Sequence, residues 1–139
     1  MDNVLFPSLY EEDYILRSLG SIVTQPDVAL TELVANAWDA GASHVTLSIP
    51  EEKNQLLYIE DDGVGMSELE FQHHWMTLRY NRLKEQGRNV IFPNGEKGNR
   101  CAFGRNGVGR HGLFCFGNEY KVITKKDGKK LTFKIKPNV

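Results

Sequence analysis

The chain has 139 residues, 40% hydrophobic and 25% charged, a balance that fits one soluble globular domain and excludes disordered, collagen-like and coiled-coil chains. No apolar run approaches the ~18 residues of a membrane helix, and the opening MDNVLFPSLYEED is acidic where a signal peptide is basic and then apolar, so no membrane partner and a cytoplasmic location are expected. Net charge is −1, yet residues 1–78 hold two basic against fourteen acidic side chains (−12) and residues 79–139 hold fifteen against four (+11). Either the second half meets an anionic partner or the two halves fold together and pair their charges.

In chain order, the segment up to Thr24 mixes Leu5, Phe6, Leu9, Tyr10, Ile15 and Leu16 with an acidic cluster, which suits a short helix or an arm. Pro26 at a helix start, Asp27 beside the positive end of the dipole and Gly41 at the C-terminal cap predict a helix over 26–40. HVTLSI, with Val45, Leu47 and Ile49 alternating, and QLLYIE after a polar PEEKN loop predict a hairpin. Ser67 is placed to cap a helix over 67–86, in which Trp75, Leu78 and Leu83 pack and Arg79, Arg82 and Lys84 form a solvated face. His73 and His74 are adjacent, so they diverge on a helix and make a poor metal pair. Residues 87–104 carry Gly, Pro and Asn without periodicity and read as a mobile loop. A second hairpin is expected around Asp127-Gly128, with Tyr120 and Val122 alternating on one strand and Leu131, Phe133 and Ile135 on the other. Cys101 and Cys115 lack CxxC spacing and read as reduced and packed.

Three stretches carry chemistry. On the first helix, at about 100° per residue, Glu32, Asn36 and Asp39 fall within about 60° of one another, with Leu30, Leu33, Val34 and Ala37 opposite. A wet stripe more usually includes Lys and Arg, whereas Glu can align a water and an Asn oxygen can meet Mg²⁺. In IEDDGVGMS a strand ends in Asp61 and Asp62 and runs into Gly63, Val64 and Gly65, a plain turn or a place where backbone approaches a flat ligand. FGRNGVGRHGLFCFG places Gly104, Gly107, Gly109 and Gly112 before an apolar run, as phosphate-cradling loops do. Its literal GxGxxG lacks the preceding apolar strand and the later acid of a dinucleotide fold, and no P-loop occurs.

Together and in this order, ELVANAWDA, DDGVGM and GRNGVGRHG resemble the asparagine box and two glycine boxes of the GHKL ATPase superfamily, over about Thr31 to Gly117. The resemblance implies an α/β (α+β) Bergerat fold, a two-layer sandwich of a mixed sheet with helices on one face, binding ATP/ADP with Mg²⁺. It implies that Glu32 polarises the attacking water, Asn36 coordinates Mg²⁺, and Asp39, followed by Ala40, supports that face. Asp61 would receive the adenine amine, with Gly63 and Gly65 against the base and Met66 beside it. The backbone of Gly107, Val108 and Gly109 would bind phosphates. Gly104 and Asn106 lie in the same box, Arg105 and Arg110 flank it as phosphate partners, and residues 87–105 would be the lid.

The Asp39-Ala40 ending favours hydrolysis over histidine phosphorylation, and GRNGVGRHGLFCFG is most similar to bacterial ATPases related to the ninety-kilodalton heat-shock chaperones. Superfamily members continue to a further strand with a Gly-Thr pair. None follows Gly117 here, so a C-terminally truncated fragment of a longer protein is expected, its full-length form an ATPase able to dimerise with ATP through the N-terminal segment. The competing reading is a nucleic-acid-binding module whose basic second half tracks phosphates while Phe103, Phe114 or Tyr120 stacks on bases. A third is a nucleotide-binding switch without turnover.

Overall fold

The computed structural model describes residues 22, 24–77, 84, 86–104 and 109–136. Within them the class is α/β: helix α1 (Pro26–Asp39), strands β1 (Val45–Ser48) and β2 (Tyr58–Asp61), a short helix α2 (Glu68–Glu70) widening into a π-helical turn (Phe71–Trp75), strands β3 (Asn89–Ile91) and β4 (Lys97–Cys101), a 3-10 helix (Gly109–Cys115), and strands β5 (Tyr120–Lys126) and β6 (Lys129–Ile135). The expected opening arm lies outside the described residues.

Helix α1 starts and stops as its sequence directs. Gln25 is extended, the conformation forced on a residue preceding proline, and Pro26 fills a first-turn position where no N–H is missed. At the other end the Gly41 N–H reaches the Trp38 carbonyl at 3.1 Å and the Ala42 N–H that of Ala37 at 3.0 Å, a Schellman closure for which Gly41 supplies φ +73°. Ala29, Leu33 and Ala37 form the buried ridge of the helix, joined by Ala35. Val34, expected on that ridge, is exposed. The packing is centred on small residues instead: at Gly112 of the 3-10 helix a Cβ would stand 3.2 Å from the Ala29 carbonyl.

The strands form three antiparallel pairs, β1–β2, β3–β4 and β5–β6, so the described residues hold three two-stranded sheets where one mixed sheet was expected. Each partner is the neighbour in sequence, and only β5–β6 is joined by a two-residue turn. The capping box at Ser67 forms, its N–H donating to Glu70 Oε2 at 2.7 Å and its Oγ accepting the Glu70 N–H at 3.3 Å. The helix it starts passes after one α turn into the π turn that closes from the Met76 N–H to the Phe71 carbonyl, and Lys84 and Gln86 are helical again at the expected end; residues 78–83 and 85, with Arg79 and Arg82, lie outside the described set.

Residues 87–104 are a hairpin rather than an irregular loop. Its strands are too short to show periodicity; Val90 is its fully buried side chain among those described, and Trp38 and Arg100 tie it to the end of α1. Trp38 Nε1 donates to the Cys101 carbonyl at 2.8 Å, and Arg100 bonds the Ala42 carbonyl at 2.7 Å with its guanidinium 4.3 Å over the Trp38 ring and 4.9 Å from Phe92. Cys101 is exposed, not packed; both cysteines are free.

The aromatic core lies at the other end. Phe71, Phe114, Tyr120 and Ile135 are buried together with Met66, Trp75, Leu113, Val122 and Phe133 against them. Phe71 stacks on Phe133 with centroids 3.6 Å apart. Among the described residues no helix is long and apolar enough to cross a membrane.

Candidate functional site

Glu32, Asn36 and Asp39 share one face of α1, and none of them is left to water. Asp39 accepts two successive backbone N–H groups, Phe103 on Oδ1 at 2.6 Å and Gly104 on Oδ2 at 2.8 Å, just beyond β4. Seven residues back along the helix, about 10 Å at 1.5 Å per residue, Gly109 sits so close to Glu32 that a Cβ there would overlap its carboxylate. One described end of the glycine-rich segment is thus bonded to Asp39, and the other lies against Glu32. Arg105, Asn106, Gly107 and Val108 between them lie outside the described residues. Burial, with the negative charge of Asp39 as the smaller cause, raises the Glu32 carboxyl above its ordinary value of 4.5, making it a readier proton acceptor once ionised.

Between these anchors Asn36 Nδ2 is buried without a hydrogen-bond partner. A buried amide normally has one, so the position calls for a polar group that the protein does not supply. Turned over, the same amide presents an oxygen there, the donor type Mg²⁺ takes, and Asn36 therefore fits a metal-bound or phosphate ligand.

The turn after β2 closes the C-terminal end of this face. Asp61 is exposed and its Oδ1 accepts the Gly63 N–H at 2.8 Å, while the Val64 N–H reaches the Ala40 carbonyl at 2.8 Å. A Cβ on Gly63 would lie 2.7 Å from Ala40 Cβ, and one on Gly65, at φ +68°, would overlap the Lys125 carbonyl of β5. Met66 N–H donates to Thr124 Oγ1 at 2.8 Å. Protein backbone, then, already dictates both glycines. Asp62 faces away and accepts the N–H groups of His44 at 2.8 Å and Ser43 at 2.7 Å; the His44 bond foremost holds its carboxyl below the ordinary value.

Arg110 turns inward. It is buried, with Nε on the Trp75 carbonyl at 2.7 Å and Nη2 on that of Thr77 at 2.5 Å, so in this arrangement its guanidinium closes the end of the π turn instead of standing beside the glycine box. Phe114 and Tyr120, candidates for base stacking, are both buried in the core, and the Tyr120 hydroxyl is engaged by Trp75 Nε1 at 3.0 Å and His111 Nδ1 at 2.8 Å. That part of the stacking reading is corrected; Phe103 alone of the three is exposed. Sequence reasoning passed over Trp38 and Arg100, whose partners lie 58 to 63 residues away and leave no local pattern.

A half-covered Glu–Asn–Asp helix face, a DxGxG turn against its end and the described ends of a glycine-rich segment beside it agree with a nucleotide-binding domain of the GHKL type. Residues 23–139 match the family described as histidine kinase-, DNA gyrase B- and HSP90-like ATPase, and the chain belongs to that family of ATP-binding domains. It is also similar to a putative type II restriction enzyme, HgiDII, of Herpetosiphon aurantiacus, 32% identical over 97 residues that make up 70% of this chain and 14% of that protein. DNA mismatch repair proteins MutL are similar over shorter stretches: 47% over 51 residues in Prosthecochloris aestuarii, 37% of this chain and 8% of that protein, and 39% over 68 residues in Parabacteroides distasonis, 45% and 11%. The chain thus spans a small fraction of the length of these relatives.

Proposed function

We propose that ATP lies along the polar face of α1, with its base at the Asp61 turn and its phosphates under the glycine-rich segment, and that the full-length protein hydrolyses it to ADP. The observation that carries this reading is the placement of the two described ends of that segment, Phe103–Gly104 bonded to Asp39 and Gly109 close against Glu32, on either side of the unpartnered Asn36 amide. Asp61 presents an exposed carboxylate that can accept a hydrogen bond from the adenine amine, and Gly63, Gly65 and Met66 line that end. Glu32, its proton affinity raised, orients a water and takes its proton as the water attacks the terminal phosphoryl group. Backbone N–H groups of Gly107, Val108 and Gly109 are assigned to the phosphates. Mg²⁺, when bound with the nucleotide, offsets phosphate charge, and Asn36 is the residue that would hold it.

Residues 87–105 belong to the same proposal as a lid. Asp39 ties their exit to the helix that carries Glu32, so a change in hairpin position is felt at the water-activating carboxylate. The names of the mismatch-repair and restriction relatives support spending the ATP cycle on work at DNA, and an ATP-dependent homodimer through the N-terminal segment is the assembly this reading favours.

The test is a calorimetric titration of a non-hydrolysable ATP analogue into this chain and its Asp61→Asn variant, each with Mg²⁺ and with chelator. Saturable wild-type binding tighter than about 1 mM, roughly 4 kcal/mol, is expected to collapse in the variant and to weaken in chelator. Equal affinity in a folded Asp61→Asn protein would remove the adenine assignment, and indifference to chelator would remove the metal.

A further inference from the structure

The β5–β6 hairpin carries a charge arrangement that the nucleotide site does not use. Its register places Lys121 opposite Lys134, Lys125 opposite Lys130 and Lys126 opposite Lys129, three like-charge pairs in a ladder of seven. Strand alternation sends Tyr120, Val122 and Thr124 toward the core, so Lys121, Ile123 and Lys125 with their partners Lys134, Thr132 and Lys130 occupy the outer face, and all six are exposed. Neutralisation is sparse. Glu119 pairs with Lys134 at 3.0 Å and Lys136 at 3.6 Å, and Glu70 takes Lys126 at 2.6 Å on the inner side. Among the described residues Lys121, Lys125 and Lys130 form no ion pair. Of the two outcomes that the charge segregation allowed, pairing between the halves is represented here by Glu70–Lys126.

Like charges directly across an antiparallel pair are destabilising. Lysine on an edge strand deters unwanted strand pairing, but single lysines do that without standing opposite one another. An array kept at this cost fits a partner that carries regularly spaced negative charge. The two outer lysine pairs lie four residues apart, about 14 Å at 3.4 Å per residue. One strand of a duplex advances about 3.4 Å per phosphate, so the face spans about four phosphate steps. The same face holds no Arg, Asn or Gln for reading base edges, and the neighbouring aromatic residues Phe114 and Tyr120 are buried.

We propose that the outer face of β5–β6 is a docking surface for the phosphate backbone of duplex DNA, gripping it without reading sequence through Lys121, Lys125, Lys130 and Lys134. For its ligand the inference rests on the DNA part of the functional reading above, and for its location on the hairpin alone.

The experiment measures anisotropy of a fluorescein-labelled 20-base-pair duplex with this chain from 50 to 200 mM NaCl. It is repeated with the Lys121→Gln/Lys125→Gln/Lys130→Gln/Lys134→Gln variant and with a Lys53→Gln control on the β1–β2 loop. The slope of log affinity against log salt is expected to fall by about 0.9 per lysine removed, or 3 to 4 in the quadruple variant, with more than tenfold weaker binding at 50 mM. The control keeps the wild-type slope, and a second duplex of unrelated sequence binds equally. Loss of facing like charges leaves the thermal midpoint at or above that of wild type. Should the quadruple variant not fold, Lys125→Gln/Lys130→Gln reads half the effect.

No duplex binding by the folded wild-type chain overturns both the surface and the DNA part of the functional reading. Binding with an unchanged slope in the lysine variants overturns the surface alone. Competition by poly-glutamate as effective per charge as the duplex assigns the face to an acidic protein and overturns DNA. The ATP-analogue titration on the same variants stays at wild-type affinity, which separates a failure here from a failure of the nucleotide site.

Discussion

Glycines stand against both ends of the polar face of helix α1, in the turn after β2 and at the start of the 3-10 helix, and they exclude side chains for different reasons. In the first, Gly63 and Gly65 are pressed by protein: Ala40 on one side and the Lys125 carbonyl of β5 on the other, with Gly65 at φ +68° as well. In the second, what a Cβ at Gly109 would meet first is the carboxylate of Glu32, the end of a side chain that can swing away, with Glu32 Cβ 3.1 Å off behind it. One glycine is required by the fold and the other by the proposed chemistry, although the sequence writes both as GxG. Substituting along each turn should therefore separate stability from turnover.

The largest effect is expected at Glu32. If the second turn exists to hold this carboxylate over a phosphate, Glu32→Ala in the full-length protein lowers ATP turnover by about 10²- to 10⁴-fold, the usual worth of a general base, while the nucleotide affinity of this chain is kept. Because burial and Asp39 raise the Glu32 carboxyl, its ionised form lowers stability above about pH 4.5, so the variant should melt no lower than wild type at pH 7. A variant that turned over ATP at the wild-type rate would break the chemical half of the comparison.

Next comes the contrast between the glycines themselves. Gly65→Ala puts a Cβ into the Lys125 carbonyl at a left-handed backbone angle, and a loss of about 3 kcal/mol or more in urea unfolding is expected. Gly109→Ala meets the Glu32 side chain, its carboxylate first and its Cβ at 3.1 Å, with no positive φ to add strain, so it should cost about 1 to 2 kcal/mol, less than Gly65→Ala, and yet reduce turnover about tenfold or more. Equal losses of stability at the two positions would show that the second turn is as structural as the first.

What could be read from the sequence follows the range of the interactions. The Pro26 start and Gly41 stop of α1, the Ser67 cap and the Asp127-Gly128 hairpin are written within a few residues and appear as expected. So is the grouping of Glu32, Asn36 and Asp39, which follows from helical geometry alone. The β3–β4 hairpin was not legible, because what orders it is Trp38, Asp39 and Ala42, some 60 residues earlier in the chain. The inward turn of Arg110 was illegible for a related reason: its partners are carbonyls of a π turn, where the sequence announced a regular helix.

A further, pH-dependent effect is expected from His111, one residue beyond Arg110. Tyr120 Oη accepts the Trp75 Nε1 hydrogen, and the Tyr120–His111 Nδ1 bond places the imidazole at the edge of the aromatic core, where its Nε2 finds no partner. Burial first, and the neighbouring Arg110 charge second, push His111 down from 6.5 to about 4. Between those values the unfolded chain binds a proton that the folded chain refuses. The contribution of His111 is therefore fully present above pH 6.5 and is lost as pH falls toward 4, a change of no more than about 3 kcal/mol. Urea unfolding at pH 7, 5.5 and 4.5 should register that loss in wild type and a shallower one in His111→Phe, which cannot take up the proton. The first turn has no such residue, as Glu70 beneath it is held ionised by Lys126 against its own burial and loses its contribution only below about pH 4.5. An identical acid slope in wild type and His111→Phe would remove the imidazole from the account and leave carboxylates such as Glu70 to explain it.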